Sequence, residues 1–495
     1  MHTDFTVIGS GMSGLTAALV LAKHGRSVTL VERHPHPAPV LRGFTRQGIY
    51  FDTGFHYAGS LGDGEILDRY LRYLGLAPHL RKIPLNPEGF DIMRYTQSGF
   101  EFSFPYGVER IRQALLQAFP SELQGIDAFL NKVQQSFASS PFLNPGARYT
   151  AEHAFPEMDS ESLGEVLARL LPNELCRSLL GVHCLLHGTA PEEVPFLLHA
   201  RIVGSYFETV CALEGGGRSL VNAFLQELKR LGVTVLCGRE ATGFEHSDDI
   251  LTGVRLADGE VINCSGCVAT LHPAKLAAML PQSVFRQTYL RRLQALEETP
   301  SAYMIFGKLD NPPPTLLDRN YFVLPRTDID SYFRPDTPFD ELPIYISASH
   351  GSESGTSKTG VILLAAAPPN QVARWTDSRL GARPPEYVEF KRDILARLQE
   401  RAERHCPELR GMALLEGATP LTFRDYANSQ LGGLYGASHK ITQSSPMPRT
   451  KLKGLYLAGQ SIIAPGVLGT LISAMVTCAN ILGAENILQG LHECP

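Results

Sequence analysis

The sequence predicts an α/β protein with two kinds of region, and three observations support that prediction. A strand, a glycine-rich loop and a helix follow one another near the amino terminus, at residues 5–24. A second strand, a turn and a glycine-led helix occupy residues 455–482. The long middle of the chain mixes helix-forming and strand-forming segments. The two terminal units predict a Rossmann-type domain, and the middle predicts a mixed α+β domain beside it.

The amino-terminal unit has the full context of a dinucleotide-binding βαβ motif. Phe5–Ile8 is a short apolar run typical of a buried strand, and the loop Gly9–Gly14 follows it at once. Apolar spacing then predicts a helix over Leu15–His24, and Ser27–Val31 predicts a second strand that ends at Glu32. A GxGxxG loop alone is a weak signal, but this order of strand, loop, helix and terminal acid predicts a dinucleotide site.

Each position of this motif has a physical role. Gly9 allows the tight turn, Gly11 lets the backbone approach a pyrophosphate, and Gly14 lets the helix pack closely on the strand. The N–H groups at the start of the helix attract the phosphates. Glu32 can accept hydrogen bonds from the ribose hydroxyls, and its charge disfavours a 2′-phosphate. We expect cofactor contacts from two further residues of this unit, Ser13 and Arg33.

The carboxyl-terminal unit contains an uncharged stretch, Leu455–Ala484, that is long enough to span a bilayer. Gln460, Pro465 and Asn480 interrupt it, so a short strand, a turn and a buried helix explain it better. Proline is tolerated at the start of that helix because its N–H is not needed there.

Small residues at the start of this second helix would let it meet the edge of a flat ring. A helix dipole aimed at a flavin stabilises the anionic reduced form. Since an NAD-dependent dehydrogenase needs no such return of the chain, the two terminal units together predict FAD. No Cys or His lies in a recognisable attachment motif, which predicts non-covalent binding. The expected contacts from the return are Gly459, Gln460, Gly466, Val467 and Gly469.

Composition narrows the class of protein further. Hydrophobic residues make up 44% of the 495 residues and charged residues 19%, enough apolar material for large cores. The net charge of −5 and the lack of a Lys/Arg run argue against nucleic-acid binding. Nine scattered cysteines predict reduced thiols and a cytoplasmic protein. Cys264 and Cys267 form a lone CxxC pair, and without a second pair we expect no metal site.

Three stretches carry a resemblance to a known family. They are Phe51–Gly59, Glu214–Leu220 and Ala418–Gly436, the last of which leads into Gly454–Gly469. In this order they resemble the phytoene desaturase, carotenoid isomerase and retinol saturase family of flavoproteins. The Phe-Asp-Thr-Gly-Phe-His-Tyr string, with Phe90–Met93 after it, is most similar to the retinol saturase branch. The resemblance implies a glutathione-reductase-like FAD domain and an oxidoreductase that acts on carbon–carbon double bonds of a long apolar polyene.

The resemblance also implies positions beside the cofactor, with one departure. By analogy, a helix and strand after Glu214 bring Thr242 and Gly243 near the adenine. The family has a Gly-Gly pair near position 40, where this chain has Pro37–Gly43 instead. The backbone can therefore approach the flavin diphosphate differently. Arg42 either supplies a cation to the diphosphate or is a solvated loop residue.

Family analogy makes both domains discontinuous. The FAD-binding domain is expected at about residues 1–80, 212–275 and 450–495. The substrate-binding domain is expected at 81–211 and 276–449. Four helices are predicted in its first part, at Val108–Ala118, Glu122–Phe137, Leu163–Leu171 and Asn173–Leu186. Its second part is predicted to combine strands with a long helix, Pro385–His405.

His56 and Tyr57 are the candidate catalytic residues, because the family runs this loop close to the flavin. His56 can donate a proton to the carbon next to the hydride acceptor, or it can bond to the backbone and hold the loop. Asp52 is expected to cap a turn. Four weaker candidates are expected to be cavity wall or loop anchors: Tyr206, Arg424, Tyr426 and Tyr435.

Two other functions stay open at this point. The first is tailoring of a polyene polyketide, for example reductive ring closure in a tetramate macrolactam. The second is a non-catalytic flavin-binding or lipid-carrier protein. With one dinucleotide fingerprint, the electron donor could be transiently bound NAD(P)H, a partner reductase or the substrate itself. An apolar helix at Leu179–Leu186 could make peripheral contact with a membrane, or it could be core or tunnel wall. The sequence does not predict an oligomeric state.

Overall fold

A computed structural model describes residues 2–154, 160–350, 358–367 and 369–494. In these ranges the chain forms two seven-stranded sheets, two small two-stranded sheets and the helices that cover them. The strands in chain order are β1 (His2–Ile8), β2 (Val28–Glu32), β3 (Phe44–Arg46), β4 (Ile49–Phe51), β5 (Lys82–Pro84), β6 (Asp91–Tyr95), β7 (Phe100–Phe104), β8 (Cys211–Leu213), β9 (Thr234–Cys237), β10 (Ala241–Ser247), β11 (Ile250–Leu256), β12 (Val261–Ala269), β13 (Ser301–Asp310), β14 (Asn320–Leu324), β15 (Ile344–Ala348), β16 (Lys358–Ala367), β17 (Ala413–Ala418) and β18 (Leu455–Leu457).

The helices of the described residues alternate with these strands. In chain order they are α1 (Met12–Lys23), α2 (Ile66–Leu74), α3 (Val108–Ala118), α4 (Leu123–Ala138), α5 (Leu163–Leu170), α6 (Glu174–Gly181), α7 (Phe196–Tyr206), α8 (Gly216–Arg230), α9 (Pro273–Met279), α10 (Gln287–Gln294), α11 (Pro314–Leu317), α12 (Pro385–His405), α13 (Pro420–Ala427), α14 (Gly466–Leu482) and α15 (Ala484–His492).

The first large sheet joins three separate parts of the chain. Its strand order is β10-β11-β12-β1-β2-β9, and β18 pairs with the carboxyl-terminal end of β12. The pairs that involve β1, β2, β9 and β18 are parallel, so the carboxyl ends of these strands meet at one edge. Ligands of open α/β sheets bind outside this kind of edge.

The second large sheet has the order β17-β13-β16-β15-β14-β6-β7 and comes from the middle of the chain. All of its pairs are antiparallel except β14 with β6. That one parallel register sets Asn320 beside Asp91, which brings two polar side chains together inside the protein. The division into two domains at the expected bounds remains a prediction.

Two helices, α1 and α14, cover one face of the first sheet and pack against each other. Both are almost wholly apolar, and their shared core includes Leu15, Leu19 and Met475. The Ser13 hydroxyl donates to the Thr470 carbonyl oxygen at 2.7 Å, which fixes the starts of the two helices beside each other. The uncharged stretch at 455–484 is thus β18, a turn and a buried helix, as predicted.

Most elements lie where the sequence predicts them, although β1 begins at His2 rather than Phe5 and α1 begins at Met12 rather than Leu15. Val108–Ala118 and Pro385–His405 are helices with the predicted bounds. The predicted helix Asn173–Leu186 instead stops as an α-helix at Gly181 and continues as a 3₁₀ helix, Val182–Leu186. The tighter turn places His183 and Cys184 inside the core.

The same segment lies in the core and on a cavity wall, which was one of the two alternatives for it. Leu179, Leu180 and Val182 are buried in the core, and Leu186 lies on a cavity wall. This segment is therefore not an exposed docking helix. Within the described residues, no helix has the length and apolar character needed to cross a membrane.

Candidate active site

A cavity of about 740 Å³ lies between the two large sheets. One end is formed by the carboxyl ends of strands in the first sheet, including Gly9–Ser13, Glu32 and Gly459–Ser461. The other end reaches the second sheet at Phe322 and Tyr345. Ligand-binding cavities typically measure about 300–1,000 Å³. The volume and position therefore suit a cofactor at one end and a substrate at the other.

The glycine loop has the geometry that its sequence predicts. Gly9 has a φ of +95°, and an added Cβ would lie 2.4 Å from the Thr270 hydroxyl. At Gly14 an added Cβ would lie 1.8 Å from the Gly9 carbonyl oxygen, so only glycine lets helix and strand pack this closely. At Gly11 an added Cβ would meet no protein atom within 4 Å, because the position faces the cavity.

Glu32 lies at the end of β2 and is buried beside the cavity. One carboxylate oxygen accepts hydrogen bonds from the Ser10 N–H at 3.0 Å and the Ser10 hydroxyl at 2.6 Å. The other accepts from the His34 N–H at 2.8 Å. Glu32 thus holds the glycine loop as well as facing the space where the ribose is expected. Ser13 also lines the cavity, although its hydroxyl is used to bond Thr470.

The return segment reaches the same cavity from the other side. Gly459 has a φ of +132°, and its N–H donates to the Ser473 hydroxyl at 2.9 Å. Gln460, Gly466 and Val467 also line the cavity. Gly469 does not, since an added Cβ there would lie 2.8 Å from Ala464, and the residue serves the packing of α14.

The other predicted cofactor residues divide into two groups. Arg33 and Thr242 line the cavity, and the Arg33 guanidinium donates to the Asp425 carbonyl oxygen. Gly243 lies within β10 and is not on the cavity wall. Arg42 is not on the wall either, but its Nε is buried without a hydrogen-bond partner among the described residues.

These residues fit a flavin dinucleotide on observations of the chain itself. Helix α1 begins at the cavity without a side-chain cap on its first N–H groups, and so does α14. Uncapped helix starts attract anionic groups such as a pyrophosphate or a reduced flavin. Gly11 leaves open space in front of one of them, and Glu32 stands where the adenosine ribose of a dinucleotide is held.

Asp52 connects the segment after β4 to the glycine turn at Gly215–Gly217. Its carboxylate accepts from the Tyr50 hydroxyl at 2.7 Å and from the Gly217 N–H at 2.8 Å. An added Cβ at Gly216 would lie 2.4 Å from this carboxylate, so the turn needs its glycines. Burial raises the pKa of Asp52 to about 6. Asp52 therefore holds a turn, as predicted, and is not on the cavity wall.

The far part of the cavity is walled mainly by aromatic and aliphatic side chains. Tyr435 and Tyr206 lie on this wall, in the role predicted for them, and Tyr426 lines the cavity too. Arg424 instead anchors a loop through the Thr376 carbonyl oxygen at 2.5 Å. The other aromatic and aliphatic wall residues are Phe55, Leu185, Leu186, Phe322, Tyr332, Phe333, Tyr345, Leu364 and Ala366.

His56 lies on the cavity wall, with its ring centroid 5.7 Å from that of Tyr345. Burial, with a smaller contribution from His350, lowers the pKa of His56 to about 4. Its Nδ1 is buried and has no hydrogen-bond partner among the described residues. His56 is therefore neutral at pH 7, and a neutral imidazole is a weaker proton donor than an imidazolium.

Tyr57 lies beside it and takes part in a buried polar network that the sequence gave no means to predict. Its hydroxyl donates to Asp91 Oδ2 at 3.1 Å, and His183 Nε2 lies 3.3 Å from the same oxygen. The Asn320 side-chain amide donates to Asp91 Oδ1 at 2.9 Å. The four residues come from distant parts of the chain, and no local motif links them.

A model of the family “FAD dependent oxidoreductase” matches residues 4–457 of this chain. The chain belongs to that family. All-trans-retinol 13,14-reductase of Danio rerio is 24% identical over 531 residues, which cover 98% of this chain and 86% of that protein. Phytoene desaturase (lycopene-forming) of Pantoea ananas is 24% identical, over 94% of this chain and 96% of that protein.

Solved structures agree on the fold. The crystal structure of an oxidoreductase from Methanosarcina mazei has a TM-score of 0.66 at 15% identity, covering 97% of this chain and 100% of that one. The predicted Rossmann-type fold with a mixed α+β substrate region is confirmed, and so are the predicted enzyme class and the resemblance to retinol saturases and phytoene desaturases. The cofactor of this oxidoreductase family is FAD, whereas the individual contacts described above remain predictions.

A second, smaller cavity of about 180 Å³ adjoins the first. The two cavities share Tyr57, Leu186, Tyr206, Gly466 and Val467 as wall residues. Its remaining wall is partly apolar and partly polar, the polar side chains including Arg201, Lys440, Gln443, Ser444 and Ser445. The oxidoreductase therefore has space on both sides of the Tyr57–Tyr206 pair.

One cluster of buried side chains could hold a metal ion, although no metal site is expected from the sequence. Cys184, His187 and His199 have their potential ligand atoms within 4.8 Å of one another, in the core. His187 Nε2 and His199 Nδ1 lie 3.1 Å apart. Burial lowers the pKa of both histidines, that of His187 to about 3, so one neutral ring donates to the other. The spacing Cys-x-x-His was visible in the sequence, but its partner His199 lies on another helix. The absence of a metal remains a prediction.

All nine cysteines of the chain are free thiols, as the irregular spacing predicted. Cys264 and Cys267 lie buried in β12. Burial raises the pKa of both thiols, which keeps them protonated at neutral pH.

Proposed function

We propose that this enzyme reduces a carbon–carbon double bond in a long, apolar, conjugated polyene of the retinoid or carotenoid kind. The aromatic and aliphatic wall of the large cavity supports this, because it starts at the expected flavin site and extends to the second sheet. Such a wall suits a flat apolar chain and excludes water. Both sequence relatives described above carry names of polyene enzymes, one a reductase and one a desaturase.

In this proposal the cofactor carries out the redox step, and the chain binds the cofactor and orients the substrate. Bound FAD supplies two-electron, hydride-transfer chemistry. The glycine loop and Glu32 hold the dinucleotide, and the start of α14 faces the flavin. The aromatic wall orients the polyene against it, with Tyr206 and Tyr345 stacking near the reacting carbons. Tyr57 and His56 are the polar groups that we place next to the reacting bond.

Between these two, we assign the handling of a proton to Tyr57, whose hydroxyl is bonded to Asp91 Oδ2. Burial raises the pKa of Tyr57 well above its ordinary value, with the charge of Asp91 as a further cause, so the phenol keeps its proton at neutral pH. His56 is neutral at that pH, and we assign it to shaping the cavity beside Tyr345.

We propose a separate source for the electrons. The chain has one dinucleotide fingerprint, at Gly9–Gly14, and we assign it to FAD. NAD(P)H would then bind transiently or deliver electrons through a partner reductase. The polyketide alternative has no support from the relatives described above, so we do not propose it.

An anaerobic mass-balance experiment tests this function. The purified holoenzyme is reduced with one equivalent of dithionite, mixed with all-trans-retinol or a carotenoid, and followed by flavin absorbance and product mass. We expect flavin re-oxidation and a product heavier by two hydrogens. Re-oxidation without product, or flavin that stays reduced with every polyene tried, would contradict the proposal. A fatty acid without conjugation serves as the matched control and should not react.

The flavin content gives a second test. We expect the purified protein to be yellow and to release FAD when denatured, because no attachment motif is present. Colour that remains with the denatured polypeptide would show covalent binding.

A further inference from the structure

The smaller cavity is a slot between two helices, α7 and α14. Each helix lines it with residues spaced by four: Leu198, Ile202 and Tyr206 from α7, and Leu468, Ile472 and Val476 from α14. Residues four apart lie on the same face of a helix, so one continuous face of each helix borders the slot. All of these side chains except Tyr206 are aliphatic. The slot therefore suits a narrow apolar ligand.

The slot meets the large cavity where α7 ends and α14 begins. Among the residues of α7, all of which the structure describes, only the last one, Tyr206, lies on the walls of both cavities. Gly466 and Val467, the first residues of α14, also lie on both walls. Because we place the flavin at the start of α14, the slot leads to the part of the large cavity where the reaction is expected.

The two tyrosines at this junction are held to different degrees. The Tyr57 hydroxyl donates to Asp91 at 3.1 Å, which fixes the position of its ring. The Tyr206 hydroxyl has no hydrogen bond to the residues that the structure describes. The Tyr206 ring instead packs edge-on against Tyr57, with the two centroids 5.5 Å apart. Since no buried hydrogen bond has to break, Tyr206 can turn aside at a lower cost than Tyr57.

The solvent end of the slot has polar side chains whose charges are already balanced. Lys440 Nζ lies 2.9 Å from Glu193 and 2.7 Å from Glu297, two carboxylates with exposures of 45% and 67%. The Arg201 guanidinium donates to the Ser139 hydroxyl at 3.3 Å. Phosphate groups are bound by cations that can turn their donors toward them. Because these cations have other partners, the slot entrance favours an uncharged chain over a nicotinamide dinucleotide.

We propose that the slot is the outer half of the passage by which the polyene reaches the flavin, and that Tyr206 is the gate between the two halves. This inference rests on the proposed double-bond reduction and deepens it. The bound polyene crosses the junction, with its reacting bond in the large cavity and its remaining carbons between α7 and α14. Tyr206 is therefore a specificity-determining residue, which admits a flat conjugated chain by turning aside.

Labelling of a thiol in the slot tests the passage without any turnover. Ile202→Cys places a thiol on the slot wall and off the wall of the large cavity. In oxidised holoenzyme, all-trans-retinol at about ten times its Kd should slow the reaction of this thiol with a methanethiosulfonate about tenfold, since only the unliganded fraction reacts. The Kd comes from a titration of retinol fluorescence, and labelling of the nine native thiols is measured in wild type.

Val388→Cys is the matched control for this experiment. It also replaces a β-branched residue, but Val388 is 58% exposed on α12 and lies on the wall of neither described cavity. Retinol should leave the labelling rate of this variant unchanged. Equal labelling of Ile202→Cys with and without retinol would overturn the passage. Protection of Ile202→Cys by NADPH and not by retinol would assign the slot to the electron donor, and would also overturn it.

A bulky substitution tests the passage during reduction. Ile202→Trp fills the slot without lining the large cavity. In single turnover of reduced holoenzyme, the retinol concentration for half the maximal rate should rise at least about tenfold, with a smaller effect on the limiting rate, as for lost binding rather than lost chemistry. An unchanged concentration dependence would contradict the proposal. If Ile202→Trp is recovered without flavin, Ile202→Phe is used with the same criteria.

Stopped-flow retinol fluorescence tests the gate by itself. Tyr206→Ala removes the ring and should speed association and dissociation of retinol, whereas Tyr206→Trp should slow both, each by about tenfold when the gate limits entry. Association rates equal to wild type in both variants would overturn the role of Tyr206. Failure of the proposed function looks different: retinol would still protect the thiol of Ile202→Cys, while no polyene would re-oxidise the reduced flavin of wild type.

Discussion

The two ends of the large cavity are built in opposite ways. At the first sheet, the wall is made of backbone and glycines, held by a few polar side chains such as Glu32 and Ser10. At the second sheet, the wall is made of aromatic side chains, with the Tyr57–Asp91–His183 network behind them. The shape of the first end depends on positions that must be glycine. The second depends on which side chains are present.

Substitutions at the two ends should therefore have different effects. Glycines of the first end should control cofactor binding and packing, with little influence on the chemical step. Side chains of the second end should control the rate, with little influence on flavin content.

The largest effect is expected from Gly11→Val. An added side chain at Gly11 meets no protein atom within 4 Å, so the chain should fold, but the isopropyl group would occupy the space of the pyrophosphate. Keeping the pyrophosphate away from the N–H groups of the loop removes its charge-assisted hydrogen bonds, and we expect binding to weaken about a thousandfold. Flavin absorbance per chain and circular dichroism measure the two effects.

Gly14→Ala provides the matched contrast. Its Cβ would lie 1.8 Å from the Gly9 carbonyl oxygen, so we expect a lower thermal midpoint as well as flavin loss. A Gly11→Val protein with wild-type flavin content would remove the assignment of this loop. Equal thermal midpoints for the two variants would remove the distinction between cofactor space and packing.

A smaller effect is expected from His56→Gln at the second end. Because His56 is neutral at pH 7, we expect the single-turnover rate to fall less than about fivefold, well below the range for a general acid. Flavin content should stay at the wild-type level. A loss of a hundredfold or more would instead make His56 the proton donor and would count against Tyr57.

The cofactor side of the cavity was easier to predict from the sequence than the substrate side. The glycine loop, Glu32 and the return at Gly459–Val467 were predictable because each lies in a local motif whose spacing has a physical meaning. The substrate side was only partly predictable. His56 and Tyr57 were found through a family string, but Asp91, His183 and Asn320 meet only because β6 and β14 pair in parallel and a 3₁₀ turn follows α6.

Two predicted cofactor residues lie off the wall of the large cavity, and their roles remain predictions. Gly243 and Gly469 carry family-like or motif-like positions, yet the first lies inside β10 and the second packs on Ala464. Such a difference of one or two residues in a strand or helix moves a side chain to another face, and a sequence pattern does not resolve it. The helix predicted to end at Leu186 also differs, since its last turn is a 3₁₀ helix that carries the buried His183 and Cys184.

Acid should lower the stability of the folded protein. Burial lowers the pKa of His56 and His350 to about 4 and of His187 to about 3. In the unfolded chain these groups titrate near pH 6.5, so between pH 6.5 and 4 the unfolded state binds more protons and stability falls as the pH falls. Asp52 and Asp330, with pKa values raised to about 6 by burial, oppose this below pH 6 but are fewer.

We expect the thermal midpoint to be about 3–5 °C lower at pH 5 than at pH 7. His350→Gln, at the end of β15 and off the cavity wall, should make this dependence shallower. Equal midpoints at the two pH values would mean that these histidines are more exposed in solution than the structure shows.

The smallest effect is expected from metal removal. The neutral rings of His187 and His199 share one hydrogen bond, while His187 Nδ1 and His199 Nε2 are buried without a partner among the described residues. We expect the protein to be stable without an ion beside Cys184. Elemental analysis of the purified protein should give well below one equivalent of zinc, and a chelator should leave the thermal midpoint unchanged. A stoichiometric ion that raises the midpoint would show that the cluster is a metal site.

The first sheet has a consequence for the order in which the protein is made. Its strands come from residues 2–32, from 234–269 and from 455–457, and α14 follows the last of them. A ribosome that adds about 5–20 residues per second needs roughly twenty seconds or more to pass from β1 to α14. During that time α1 can pack against α8 but not against α14, so we expect the nascent chain to complete this core and its flavin site only after α14 has emerged.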